Sequence, residues 1–201
     1  MRYLKKSTLS LLLILLSISF SYSQESRKYL RIKKNNPDYL QGYILNKGAV
    51  RIEGLVKDNV LNETGKYSRV TFIFQDGTKA RFRPDGIKGF GFWVYDYVSD
   101  DAKFYEVVQR GKKVTLYKRL REIPHPKSLE SCFYDDFTII VEDFYLKRVH
   151  EGVFKPVNEE GFNKEFSEYF ADCEKTANKI RNEELTYADI LEVVKQYNRS
   201  K

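Results

Sequence analysis

Histidine and cysteine are the scarcest reactive residues in this chain, which holds only His125, His150, Cys132 and Cys173. Neither histidine stands in an HExxH spacing or beside a CxxC pair, so no zinc-site pattern is present. Phosphate loops are missing too, both the P-loop and the GxGxxG type, and no motif calls for a cofactor. No EF-hand spacing accompanies the acidic residues. Long apolar runs are also lacking. The single one, Leu9 to Phe20, is short of the ~20 residues a membrane-spanning helix needs. No internal repeat or low-complexity tract occurs.

That one run has a clear context. A charged opening, Met1-Arg2-Tyr3-Leu4-Lys5-Lys6, precedes it, and Ser21-Tyr22-Ser23 follows. Small residues at Ser21 and Ser23 suit a signal-peptidase site cut before Gln24, and no cysteine follows to carry a lipid. Residues 1–23 therefore read as a signal peptide, and the mature chain as exported to the periplasm, the outer-membrane surface or the exterior. The cut removes 23 of 201 residues and three of seven net positive charges (Arg2, Lys5 and Lys6), leaving 178 residues and +4. This modest charge, together with export, argues against nucleic acid as a partner.

What is abundant is aromatic: 15 Tyr and 14 Phe, residues that favour strands and adhesive surfaces. The chain centres on Val70 to Phe92. Around Gln75-Asp76-Gly77 two alternating runs predict a hairpin. A two-residue loop would set Phe72 against Arg81 and mix apolar with basic rows. A three-residue loop pairs Phe72 with Ala80 and Val70 with Phe82, so burial selects it. Gly77 then takes the left-handed position of a G1 bulge. The opposite row carries Arg69, Thr71, Ile73, Lys79, Arg81 and Arg83. Arg69, Lys79, Arg81 and Arg83 on that row form a candidate basic surface for a polyanion, a solvated outer face being the alternative.

Elsewhere, residues 24–38 read as a flexible basic leader, followed by one domain over 39–201. Strands are expected over about 40–155, beginning with Gln41–Leu45 and Ala49–Lys57. Phe90 to Val98 reads as one strand apolar on both faces, with Trp93, Tyr95 and Tyr97 along one side as a candidate carbohydrate-stacking surface, a central strand covered on both sides being the alternative. A second hairpin around Arg110-Gly111 is expected to pair Val107 with Val114 and Tyr105 with Leu116. Phe137 to Leu146 reads as a further strand. The period then changes to helical over about 159–198. One long or broken helix runs from Phe162 to Ile180. A second follows Thr186, whose hydroxyl and Asp189 form a capping pair; its stripe is Tyr187, Ile190, Leu191, Val194 and Tyr197. The predicted class is α+β, mainly an antiparallel meander of hairpins with C-terminal amphipathic helices packed on it.

Candidate chemistry is sparse. An exported protein permits a Cys132–Cys173 disulfide, two buried thiols being the alternative. A Cys132–His150 nucleophilic pair is arithmetically open. Carboxylates cluster at Asp96/Asp100/Asp101, Asp135/Asp136 and Glu142/Asp143, the type of pairing that cuts glycosidic bonds, binds calcium or forms solvated turns. Asn62-Glu63-Thr64 matches a glycosylation sequon.

Several landmarks in order carry a resemblance. They are the cut before Gln24, Gly42-Tyr43-Ile44 with Lys47-Gly48, and Phe74-Gln75-Asp76-Gly77-Thr78. Pro84, Ile87-Lys88-Gly89-Phe90, Gly111, Leu116-Tyr117, Phe170-Ala171-Asp172-Cys173 and Tyr197-Asn198 follow. The chain resembles uncharacterised secreted proteins of Bacteroidota, a resemblance that implies an envelope or extracellular location and brings no activity or site residues. The expected function is a non-catalytic interaction protein contacting an envelope protein or glycan. Its rivals are an envelope-polymer hydrolase and an accessory subunit of an envelope complex.

Overall fold

Apolar rows set the register at the centre of the chain. Strands β3 (Val70–Phe74) and β4 (Lys79–Phe82) pair Val70 with Phe82 and Phe72 with Ala80, the three-residue-loop register. The Gly77 N–H donates to the Phe74 carbonyl at 2.8 Å, and the Phe74 N–H to Thr78 at 2.9 Å. Gly77 has φ 84, where a Cβ would be strained.

This computed structural model describes residues 25–58, 62–124 and 138–200. Its other strands are β1 (Tyr39–Leu45), β2 (Arg51–Lys57), β5 (Gly89–Phe92), β6 (Tyr95–Ser99), β7 (Phe104–Gln109), β8 (Val114–Pro124), β9 (Thr138–Arg148) and β10 (Lys155–Val157). Together they form one antiparallel sheet ordered β10-β9-β8-β7-β6-β5-β1-β2-β3-β4. The helices that follow are α2 (Phe162–Tyr169), α3 (Glu174–Arg181) and α4 (Ile190–Arg199). The fold is α+β, an antiparallel sheet followed by C-terminal helices.

Two meanders, β1–β4 and β5–β10, join where β5 pairs with β1, Ile44 opposite Phe90. The β4-to-β5 connection has six residues, able to reach about 20 Å if fully extended. In a flat sheet it would have to cross four strand steps of about 4.8 Å each. Pro84–Gly86 is wound into a 3-10 turn, which shortens its reach. The sheet therefore curls. Val70 and Phe72 of β3 share one core with Phe90, Tyr97 and Phe104 of β5 to β7. The Phe72 ring in that core lies over Gly54, where a Cβ would stand 2.4 Å from it.

The concave face of the other half is covered by helices. Val114, Leu116 and Leu146 pack against Phe166, Val193 and Tyr197. Helix α2 stops at Tyr169, where the Arg148 guanidinium of β9 takes the Tyr169 carbonyl and pairs with Asp172 at 3.1 Å. Thr186 and Asp189 form the expected capping box. The buried stripe of α4 is Ile190, Val193, Val194 and Tyr197, with Leu191 38% exposed. A 3-10 turn over Tyr187–Asp189 leads into the helix. Its three-residue period shifts the phase, so Val193 replaces Leu191 in the core.

Three further expectations are corrected. Residues 24–38 contain helix α1 (Arg27–Asn35), capped by Ser26, and are not a free leader. Tyr29, 1% exposed, packs on Leu55 and Ile73, so α1 covers apolar residues on the sheet's second face. Ser26 ties the start of α1 to the central hairpin, donating its N–H to the Gln75 carbonyl at 2.8 Å. Phe90 to Val98 is not one strand, because β5 and β6 turn at Trp93-Val94. The second hairpin pairs Val107 with Tyr117 and Gln109 with Leu116, with a bulge at Val108. Its loop is held from outside: the Asn198 side chain of α4 accepts the Lys113 and Val114 N–H groups at 2.9 and 3.1 Å. Asn198 also donates to the Val114 carbonyl at 2.9 Å. A tight two-residue turn cannot accommodate that insertion.

Candidate functional site

The site grows from the turn between β5 and β6. Phe92 and Tyr95 form its closing pair, leaving Trp93 and Val94 as a two-residue loop. Such loops favour Gly, Asn or Asp at left-handed positions. Here Trp93 has φ 52, a backbone cost of about 1–2 kcal/mol for an L-residue. That strain brings no burial in return, since Trp93 is 81% exposed and Val94 73%. Large aromatics normally gain stability by being covered.

On one flank of the tip lies a cleft of about 170 Å³ lined by Gln41, Tyr43, Arg51, Glu53, Trp93 and Asp96. Gly91 makes room for it, as a Cβ there would stand 2.6 Å from the Tyr43 ring and 2.7 Å from Asp96. The Tyr43 hydroxyl donates to Asp96 Oδ1 at 2.5 Å, and Arg110 donates to Oδ2 at 2.9 Å. The Arg51 guanidinium lies 3.7 Å from the Tyr43 ring centre and 2.6 Å from Glu53. Burial, reinforced by the bond to Asp96, pushes the Tyr43 hydroxyl up to about 12. Burial opposes ionisation of Asp96, but the bonds from Tyr43 and Arg110 outweigh it and hold the carboxyl below its ordinary value.

The other flank is a basin of about 480 Å³ bordered by Lys57, Lys66, Arg69 and Arg81, with Phe90 and Phe92 among its lining. Of the candidate basic surface, Arg69 and Arg81 meet here. Lys79 and Arg83 do not line the basin, and Arg83 instead stands 4.0 Å from Asp85. The aromatic row also divides. Trp93 and Tyr95 are at the tip with ring centres 6.2 Å apart, whereas Tyr97 is 1% exposed and stacks on Phe90 at 4.5 Å. The turn at Trp93-Val94 takes Trp93 out of the strand, and along β6 Tyr95 closes the hairpin at its exposed end while Tyr97 lies deeper, opposite Phe90.

The remaining candidates are separated. Asp100 accepts the Ala102 and Lys103 N–H groups and the Tyr105 hydroxyl, while Asp101 pairs with Lys47. Glu142 pairs with Lys118 at 3.0 Å and Asp143 with Arg121 at 2.9 Å. His150 is exposed in a turn after β9. Cys173 is buried, its sulfur 3.2 Å from the Thr176 hydroxyl. His125, Cys132, Asp135 and Asp136 lie outside the described residues, as do the disulfide and the nucleophilic pair that depend on Cys132. No group of metal-binding side chains occurs among the described residues.

Sequence reading missed Tyr43, Arg51 and Arg110, which reach the site from β1, β2 and the β7–β8 loop. It also missed buried Glu106, which accepts the Tyr67 and Tyr97 hydroxyls at 3.3 and 3.2 Å beside Lys118. One local signal was available: the Gly89-Phe90-Gly91-Phe92 spacing marks strand positions kept open for neighbouring atoms. Among the described residues no helix is long and apolar enough to cross a membrane. Compared with protein-family models, curated proteins and solved structures, the chain matches none.

Proposed function

We propose that this protein is an exported, non-catalytic binding protein that holds a glycan at the Trp93–Tyr95 tip. The carrying observation is the strained, exposed indole of Trp93 beside a small cleft of fixed polar groups. Indole rings stack on the apolar faces of sugar rings, and a planar polar neighbourhood hydrogen-bonds the hydroxyls at their edges. The cleft lies below the ~300–1,000 Å³ of enclosed small-molecule sites, a size suited to one ring of a polymer on the surface. Arginines neutralise both of its carboxylates, Glu53 and Asp96. An Asp96 held ionised is a poor proton donor, which favours binding over glycoside hydrolysis. Export rests on the N-terminal pattern of charge, apolar run and small residues.

The test is affinity electrophoresis of residues 24–201 in gels containing envelope and extracellular polysaccharides. At least one polymer retards the wild type, and Trp93→Ala abolishes the retardation while the thermal transition persists. Retardation unchanged by Trp93→Ala, or reducing ends released from the polymer during incubation, would overturn the reading.

A further inference from the structure

The two flanks of the tip differ in how their charges are matched. In the cleft, Arg51 pairs with Glu53 and Arg110 with Asp96. In the basin, none of Lys57, Lys66, Arg69 and Arg81 forms an ion pair with a described carboxylate. These four cations arrive from separate places. Lys57 ends β2, Lys66 sits in the 3-10 turn Gly65–Tyr67, Arg69 precedes β3, and Arg81 belongs to β4. The curl of the sheet gathers them around one concavity.

Asp58 and Glu122 also line the basin, so an excess of two positive charges remains. Glu122 is turned to the Thr64 hydroxyl at 2.5 Å. Cations gathered in this way repel one another, and an anion among them relieves that repulsion. The basin also joins the tip. Lys66 Nζ lies 5.9 Å from the Tyr95 ring centre, and Tyr95 is in edge contact with Trp93. Phe92, which lies under the turn, lines both cleft and basin.

We infer that the glycan held at the tip is acidic, its carboxylate, sulfate or phosphate groups lying in the basin among Lys57, Lys66, Arg69 and Arg81. This inference rests on the glycan reading of the tip and adds the ligand's charge to it. Stacking on Trp93 and Tyr95 supplies contact with the sugar. The basin supplies selection for acidic over neutral polymers, and that share of the affinity is screened by salt.

The experiment compares residues 24–201 against dextran, dextran sulfate, a polyuronate and polyphosphate, by affinity electrophoresis and calorimetry. Variants are Trp93→Ala and the double variant Arg69→Gln/Arg81→Gln. An acidic glycan is expected to bind at least about tenfold tighter than dextran, the yield of one good charge-assisted contact. Arg69→Gln/Arg81→Gln removes that advantage, as does salt at about 1 M, where the Debye length is about 3 Å. Preference for the polyuronate or for the sulfated glucan identifies the acidic group. Equal, Trp93-dependent binding of dextran and its acidic counterparts overturns the inference and leaves the glycan reading standing. An acidic preference that survives in the double variant overturns it as well. Polyphosphate binding as tight as the acidic glycans and indifferent to Trp93→Ala makes the basin a general polyanion surface, which also overturns it. If Trp93→Ala changes no glycan's binding, the glycan reading itself fails.

Discussion

Replacing Trp93 by alanine and by glycine tests the tip's geometry without reference to any ligand. Both substitutions remove the same indole, which is 81% exposed, so the burial lost is small and common to the pair. They differ at φ 52, which alanine must hold and glycine adopts freely. Releasing a left-handed residue returns about 1–2 kcal/mol. Glycine's extra freedom in the unfolded chain takes back about 0.5–1 kcal/mol. Trp93→Gly is therefore expected to be more stable than Trp93→Ala by about 0.5–1 kcal/mol, inverting the usual order within strands. For a domain of this size that is about 1–4 °C in Tm. Urea unfolding of both variants, with Phe90→Ala as a core control losing about 3–5 kcal/mol, measures it. A glycine variant less stable than the alanine one would refute the strain argument. A loss above about 3 kcal/mol in Trp93→Ala would show that the indole belongs to the core.

Asn198→Ala deprives the Lys113 and Val114 amides and the Val114 carbonyl of their partner. With about 1–3 kcal/mol for each buried group left unsatisfied and part of that recovered by water, a loss of about 2–4 kcal/mol is expected. Hydrogen exchange should quicken at Lys113 and Val114, and a change under about 0.5 kcal/mol would refute the tie. Alkali should unfold the protein. Burial raises Tyr43 to about 12, and it raises Tyr67 and Tyr97 as well, with Glu106 adding to both. A raised folded pKa gives stability that is complete below the unfolded value, about 10, and is lost as pH rises through the folded one. Tyrosinate absorbance should therefore rise together with loss of near-ultraviolet dichroism above about pH 10; tyrosinate formation completed with dichroism intact would contradict the burial.

Legibility of the sequence followed the range of the interactions that decide each feature. The β3–β4 register needed only rows of alternate residues and one glycine, and the cap of α4 needed only Thr186 and Asp189. The β5–β6 turn was hidden because Trp93-Val94 offers none of the residues that punctuate a chain. Aromatic alternation runs through it as though the strand continued. The β7–β8 register was out of reach because it depends on Asn198, 84–85 positions away. Helix α1 was hidden by its lysines and arginines, since a single tyrosine carries most of its docking. In the cleft, Tyr43 and Asp96 stand 53 positions apart, a separation that no local pattern spans.

The Asn198 tie also sets a timetable for the growing chain. The first half can close its own core once Phe104 is available, because Val70, Phe72, Phe90 and Tyr97 all precede it. The second half has to wait. Strand β8 leaves its loop at Val114, yet the side chain that secures its first residues is not made until 84–85 residues later. Until α2 and α4 have both followed, Val114, Leu116 and Leu146 lack the Phe166, Val193 and Tyr197 side chains that complete their cover. Contacts of such long sequence separation form slowly, and a half-covered sheet is open to association with its neighbours. The molecule thus has an early-maturing half, which carries the tip, and a late-maturing half whose vulnerable period is set by the rate at which residues 115–198 appear.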